Sequence, residues 1–148
     1  MSTPHKAGAA AAGFIFNDEG KVLMQHRTGS NGAGTWCPPG GKLDFGETPE
    51  QAFAREAKEE TDVDITNVES IGYTNDVFEE DGLHFVTIWF VSRYSGGTPK
   101  ILEPHKCLAL EWRDLDDMPS PLFQPTSDTL HNKEMMKKVR NYLKGFTS

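Results

Sequence analysis

The hydrophobic and polar positions divide the chain into short, readable blocks. Residues 10–16 (AAAGFIF) carry no charge and run into Asn17-Asp18-Glu19-Gly20, a polar turn signal. The apolar pattern resumes in residues 21–27, so the opening reads as a β-hairpin. Residues 28–35 (TGSNGAGT) are polar and glycine-rich, hence a loop. The next six, WCPPGG, cannot be helical: two prolines lack N–H donors and two glycines open backbone shapes closed to other residues. A helix is predicted to start at Thr48 and run to Thr61. Thr48 can cap it, Pro49 takes the first helical position, and Gln51 completes a capping box. Residues 68–73 read as a short strand. Residues 84–94 (HFVTIWFVSRY) give the strongest strand signal, and residues 107–112 another. A proline-bearing loop is expected at 119–125, then one basic, amphipathic helix at 129–144. Strands on both sides of one helix, with a second helix at the end, predict an α/β fold: a mixed sheet with helical cover.

Length adds that 148 residues suit one domain, 1–148, with a real core. The 22 acidic and 15 basic residues give a net charge of −7. That balance argues against a nucleic acid polymer as partner, since a sequence-blind grip on phosphates needs a basic surface. A small phosphorylated ligand stays compatible if positive charge is supplied locally. Two cysteines cannot build a disulfide scaffold and do not form a zinc-like CxxC cluster. They read as buried or semi-buried thiols in a reducing compartment. No uncharged apolar run reaches a membrane span, so no membrane partner is expected. The stretch 7–16 follows Lys6 and faintly imitates a signal peptide, but its turn signal favours a buried strand. A cytoplasmic protein is the expectation.

The helix carries an electrostatic problem. With Glu56 at zero on a 100° wheel, Glu59 lies 60° to one side and Glu60 about 40° to the other. Three carboxylates share one face. Lys58 points away, and Arg55 lies to one side, within reach of a single carboxylate. Between Glu47 and Asp62 there are six acidic and two basic residues. Like charges at these spacings cost about 0.2–0.5 kcal/mol per pair, and anions near a helix C-terminus about 0.3–1 kcal/mol each. A solvated acidic face would simply bear this cost. A divalent cation would reverse its sign, and hard oxygen ligands suit Mg²⁺ or Mn²⁺.

The wider spacing is specific. Gly41, five residues, Glu47, seven residues, Arg55-Glu56, then Glu59-Glu60 resembles the Nudix box, G-x5-E-x7-R-E-U-x-E-E-x-G-U, spanning residues 41–63. Two positions depart from it. Asp62 replaces the late glycine, and Asp tolerates the left-handed conformation better than most residues. Ala57 replaces a bulky aliphatic and thins the packing stripe. The resemblance implies an α/β/α sandwich around a mixed sheet that hydrolyses a nucleoside diphosphate linked to another moiety. It places Glu56, Glu59 and Glu60 on Mg²⁺ (or Mn²⁺), with the Gly40 carbonyl as a further ligand. It gives Glu47 and Arg55 an orienting ion pair. Glu56 or Glu60 could deprotonate the attacking water. Because the family often uses a glutamate outside the box, Glu103 is the preferred outside candidate, ahead of Glu79-Glu80-Asp81.

The run Pro38 to Glu47 is similar to the MutT-type branch, which cleaves nucleoside triphosphates to monophosphate and pyrophosphate. The later Glu-Pro-x-Lys-Cys with a following Trp is similar to MutT-like enzymes that accept oxidised and ordinary (d)NTPs. Arg27 and Lys42 are candidates for the phosphates. Phe123 and Gln124 offer an aromatic face and an amide to a base, with Trp36 or Phe45 as neighbours. Trp89 reads as core, and His26, His84 and His105 receive no role. Alternatives keep the chemistry on ADP-ribose, a dinucleoside polyphosphate or a non-nucleotide diphosphate, or make the domain a nucleotide sensor without turnover. A homodimer is implied by the family alone.

Overall fold

The structure, a computed structural model, describes residues 6–29 and 31–146. The predicted hairpin forms as β1 (Gly8–Phe16) and β2 (Val22–Arg27). Asn17 ends β1 by accepting from the Glu19 and Lys21 amides through its side chain, the local bonding that makes Asn a turn residue. The predicted loop follows; its Ser30 lies outside the described residues. The proline-glycine segment contributes two very short strands, β3 (Trp36–Cys37) and β4 (Gly40–Lys42).

Helix α1 (Pro49–Thr61) obeys its sequence signals. Thr48 accepts from the Gln51 amide and Gln51 accepts from the Thr48 amide, so the capping box is closed. At the exit Asp62 is left-handed, with φ 60°, and its N–H bonds the Lys58 carbonyl. The missing family glycine is therefore tolerated.

Two expectations are corrected. The strand predicted at 68–73 is part of β5 (Val63–Phe78), 16 residues long. Its pairing shifts register between Asp64 and Ile65, Thr66 and Glu69, and Ser70 and Gly72. Asn67 and Gly72 take positive φ, of 52° and 137°. Each bulge resets the alternation that marks a strand. The single C-terminal helix is two: α2 (Gln124–Leu130) and α3 (Lys133–Lys144), with Asn132 capping α3 through the Met135 amide. The proline loop thus ends at Phe123, because Pro125 sits in the first turn, where a missing N–H costs nothing. Strands β6 (Leu83–Gly97) and β7 (Cys107–Arg113) match expectation.

The sheet runs β3-β2-β1-β6-β5, with β4 on β1 and β7 on β2. It is mixed: β1 is parallel to β6 and antiparallel to β2 and β4. One edge of β1 is shared, with residues 10–12 pairing β4 and Phe16 pairing β2. Alternate residues of β1 face opposite layers. Ala11 and Ile15 pack with Ala52, Phe53 and Ala57 of α1, whereas Phe14 and Phe16 pack with Trp89, Met135 and Val139 on the α3 side. The result is the expected α/β/α sandwich.

At Gly13, Phe53 of α1 packs directly on the β1 backbone. A Cβ there would lie 2.7 Å from both Phe53 Cζ and the Phe90 carbonyl oxygen. The ring can shift but the sheet backbone cannot. Gly13→Ala is expected to destabilise by about 1–3 kcal/mol, read as a lower denaturation midpoint at unchanged m-value.

Candidate active site

The loop before α1 and the helix itself are joined by Arg55. Its Nε bonds Glu47 Oε2 at 2.7 Å and its Nη2 bonds Glu47 Oε1 at 2.9 Å, a bidentate pair. Nη2 also reaches the Lys42 carbonyl at 3.0 Å, while Nη1 reaches Glu56 at 2.7 Å and Glu59 at 3.2 Å. Asp44 lies 3.3 Å from Nε. The expectation of one carboxylate is thus corrected to four, since a planar fork of five donors at the centre of an acidic surface meets acceptors on every side. Arg55 beside Glu47 holds that carboxyl below its ordinary range.

Glu56 and Glu60 form the inner part of the site. Their charges act on one another. The Gly40 amide and the Gln25 amide group each donate to Glu60 Oε1 at 3.1 Å. Gly41 leaves room for the neighbouring Glu56: a Cβ on it would lie 2.6 Å from the Glu56 carboxyl carbon. Burial, then the Glu56 charge, pushes Glu60 up to about 8; burial also raises Glu56. Glu59 is exposed and paired to Arg55. Among the described residues no group of three or more His, Cys, Asp or Glu side chains is gathered as a metal nest. The donor chemistry nonetheless fits a hard cation. Two adjoining, partly buried carboxylates, one raised far enough to hold a proton, are a place where added positive charge is stabilising.

This proton has a measurable consequence. Without divalent cation, thermal stability is expected to fall as pH rises from about 5 to 8. The folded state keeps a proton on Glu60 that the unfolded chain releases above its ordinary 4.5. That contribution is complete below 4.5 and lost as pH passes the folded value near 8. Glu56 and Asp76, also raised, add the same sign. Melting curves in chelator at pH 5, 6.5 and 8 test this, and a midpoint rising with pH over that interval would refute it.

A cavity of about 670 Å³ adjoins the pair and is lined by Glu56, Glu60 and Gly40. Arg27, Lys42, Glu103 and Phe123 line it too. Arg27 is no loose strand end. It donates to the Asn31 carbonyl at 2.8 Å and its guanidinium lies 4.0 Å over the Phe123 ring. Phe123 stacks on Phe78 at 5.6 Å and 10°. Lys42 Nζ stands 5.4 Å over Phe85. Glu103 pairs with Lys106 at 3.5 Å.

Other candidates are not brought together. Gln124 is exposed, bonds Asp128 and lies outside the cavity lining. Glu79-Glu80-Asp81 form an exposed 3-10 turn. Phe45 is fully exposed, and Trp36 is buried against His26 at 4.6 Å. Trp89 is core as expected, yet it also lines the cavity. Sequence reasoning missed Asp76, Thr87 and Gln25, all buried and lining the cavity. The thiols of Cys37 and Cys107 also line it. Both are free, and burial pushes Cys37 up to about 11.

Comparison with known proteins decides the family. The NUDIX domain pattern matches residues 6–139. The chain belongs to the NUDIX family. A MutT-like protein of Streptomyces ambofaciens is 30% identical over 124 residues, covering 80% of this chain and 75% of that protein. An 8-oxo-dGTP diphosphatase of Haemophilus influenzae is 47% identical over 60 residues, 40% of this chain and 44% of that protein. The crystal structure of a MutT NUDIX hydrolase from Burkholderia pseudomallei superposes with a TM-score of 0.80 at 30% identity, covering 86% of this chain and 98% of that one. This NUDIX protein is therefore a MutT-like hydrolase, with its box on α1 and the preceding loop.

Proposed function

We propose that the protein hydrolyses a nucleoside triphosphate to the monophosphate and pyrophosphate, with 8-oxo-dGTP or another dNTP as candidate substrates. One observation carries the reading: a single cavity joins the Glu56–Glu60 carboxylates to cations and to the aromatic walls Phe78, Phe85 and Phe123. Polyphosphate and planar base thus find complementary surfaces in one space.

Glu56 and Glu60, joined by Glu59 once it leaves Arg55, and the Gly40 carbonyl would hold Mg²⁺ or Mn²⁺. Bound there, the cation would neutralise phosphate charge and polarise the bond to be cleaved. Glu47 and Arg55 orient loop and helix. Arg27 and Lys42 attract the outer phosphate oxygens. Glu103 takes a proton from the water that attacks phosphorus. Phe123 forms part of the base wall, and Gln124 would join it only after releasing Asp128.

A nucleotide panel tests the proposal: ordinary NTPs and dNTPs, 8-oxo-dGTP, ADP-ribose and a dinucleoside polyphosphate, each with and without Mg²⁺. Cation-dependent pyrophosphate release from triphosphates is expected. Turnover confined to ADP-ribose or the dinucleotide would move the substrate class, and no turnover on any member would overturn the proposal.

A further inference from the structure

Two buried side-chain oxygens have no hydrogen-bond partner among the described residues, Asp76 Oδ1 and Thr126 Oγ1, and both residues line the same cavity. Such atoms are uncommon in folded proteins, because an unmade bond to a buried polar group costs about 1–3 kcal/mol. Asp76 is 5% exposed and Thr126 0%.

The surrounding bonds fix what Oδ1 can do. Strands β5 and β6 place Thr74 opposite Thr87, and Asp76 opposite Phe85. The Trp89 indole N–H donates to Thr74 Oγ1 at 2.9 Å, and the Thr74 hydroxyl donates onward to Asp76 Oδ2 at 3.0 Å. Thr87 donates to the same oxygen at 2.6 Å. An indole can only donate, so the direction of this chain is set from Trp89 outward. Oδ2 is occupied by two hydroxyls. Oδ1 is left as an acceptor beside Phe78 and Phe85, the aromatic residues of a wall suited to a flat ring. Burial raises the Asp76 carboxyl, with the Asp128 charge adding to it and His84 opposing it.

We propose that Asp76 is a specificity-determining residue: its Oδ1 accepts an N–H from the edge of the substrate's base, and the Thr126 hydroxyl of the same cavity serves a second donor or acceptor of the ligand. This rests on the nucleotide reading above and extends it from polyphosphate to base. The shared ligand chemistry is a heteroaromatic ring edge bearing an N–H; which base supplies it is read by the arms of the test.

The test is calorimetric binding, with Mg²⁺ present, of nucleoside 5′-(α,β-imido)triphosphates of guanine, adenine, cytosine and uracil. Ribose 5-triphosphate serves as the base-less control. In Asp76→Asn the amide oxygen must face Thr74 and Thr87, so the NH₂ turns toward the ligand and donor meets donor. The preferred base is expected to lose at least about tenfold in affinity, or 1.4 kcal/mol, while ribose 5-triphosphate binds as before. Methylating the ring nitrogen or amine of that base should cost the wild type a similar factor and the variant little more. The methylation arm uses wild-type protein and stands even if the variant fails to fold. Affinity within twofold for every base in Asp76→Asn, equal loss for base-less and base-bearing ligands, or no cost of methylation in the wild type would overturn the assignment. Its failure is separable from that of the reaction. Base-selective binding without hydrolysis sinks only the proposed turnover, and hydrolysis with unselective binding sinks only Asp76.

Discussion

Glu60→Gln is expected to lower turnover by at least about tenfold, 1.4 kcal/mol or more at the barrier, with little loss of fold. Glutamine keeps the size of the side chain, and its amide oxygen can still accept from the Gly40 and Gln25 donors that hold Glu60 at 3.1 Å. What it cannot do is carry negative charge or take up and release a proton. Substitution therefore separates the structural task of this carboxyl from its chemical one. Initial rates at saturating Mg²⁺, with a melting curve on the same preparation, decide the matter. A fully active Glu60→Gln would mean the acidic pair takes no part in the reaction. In the metal-free variant the decline of stability between pH 5 and 8 should also become shallower, because one of the groups behind it is gone.

Arg55→Ala is expected to lower both stability and activity. Arg55 bridges the Lys42 carbonyl, Glu47, Glu56 and Glu59. Its removal leaves those carboxylates facing one another. Exposed ion pairs are worth about 0–1 kcal/mol, and breaking a buried one costs about 3–5 kcal/mol. Arg55 is 24% exposed, so a loss of about 1–3 kcal/mol is expected, read as a lower denaturation midpoint. Turnover should fall more than tenfold, because Glu47 and the loop it anchors lose their register with α1. Arg55→Lys should restore part of the stability and less of the rate, since an ammonium cannot make the bidentate contact with Glu47. Equal rescue of both by lysine would reduce Arg55 to a charge.

The parts of the fold legible in the sequence are those fixed by neighbouring residues. Thr48, Pro49 and Gln51 announce α1 within four positions, and Asn17 to Gly20 announce the first turn. Strand β5 is not legible, because its irregular positions at Asn67 and Gly72 make sense only against β6. Helix α2 opens on Phe123, which makes no side-chain cap bond, and its Ser, Thr and Asp content suggests a loop. The site divides the same way. Glu47, Arg55, Glu56, Glu59 and Glu60 stand at fixed spacing within the box, so the sequence locates them. Whether Glu59 faces a cation or Arg55 depends on side-chain rotation, which spacing does not encode. Asp76 looks like a polar residue in an ordinary strand; its bonding depends on Thr87 in the neighbouring strand. Gln124 shows the converse. Its chemistry suited a base, but helix geometry sets it four residues from Asp128, to which it bonds.

The bond from the Gly40 amide to Glu60 joins a strand terminus to a helix side chain across the layers. Exchange of that amide hydrogen with deuterated solvent is consequently gated by the position of the carboxylate. The nuclear resonance of a single glycine N–H becomes a built-in reporter. Its chemical shift follows the charge on Glu60, and its exchange lifetime follows how often α1 and β4 separate.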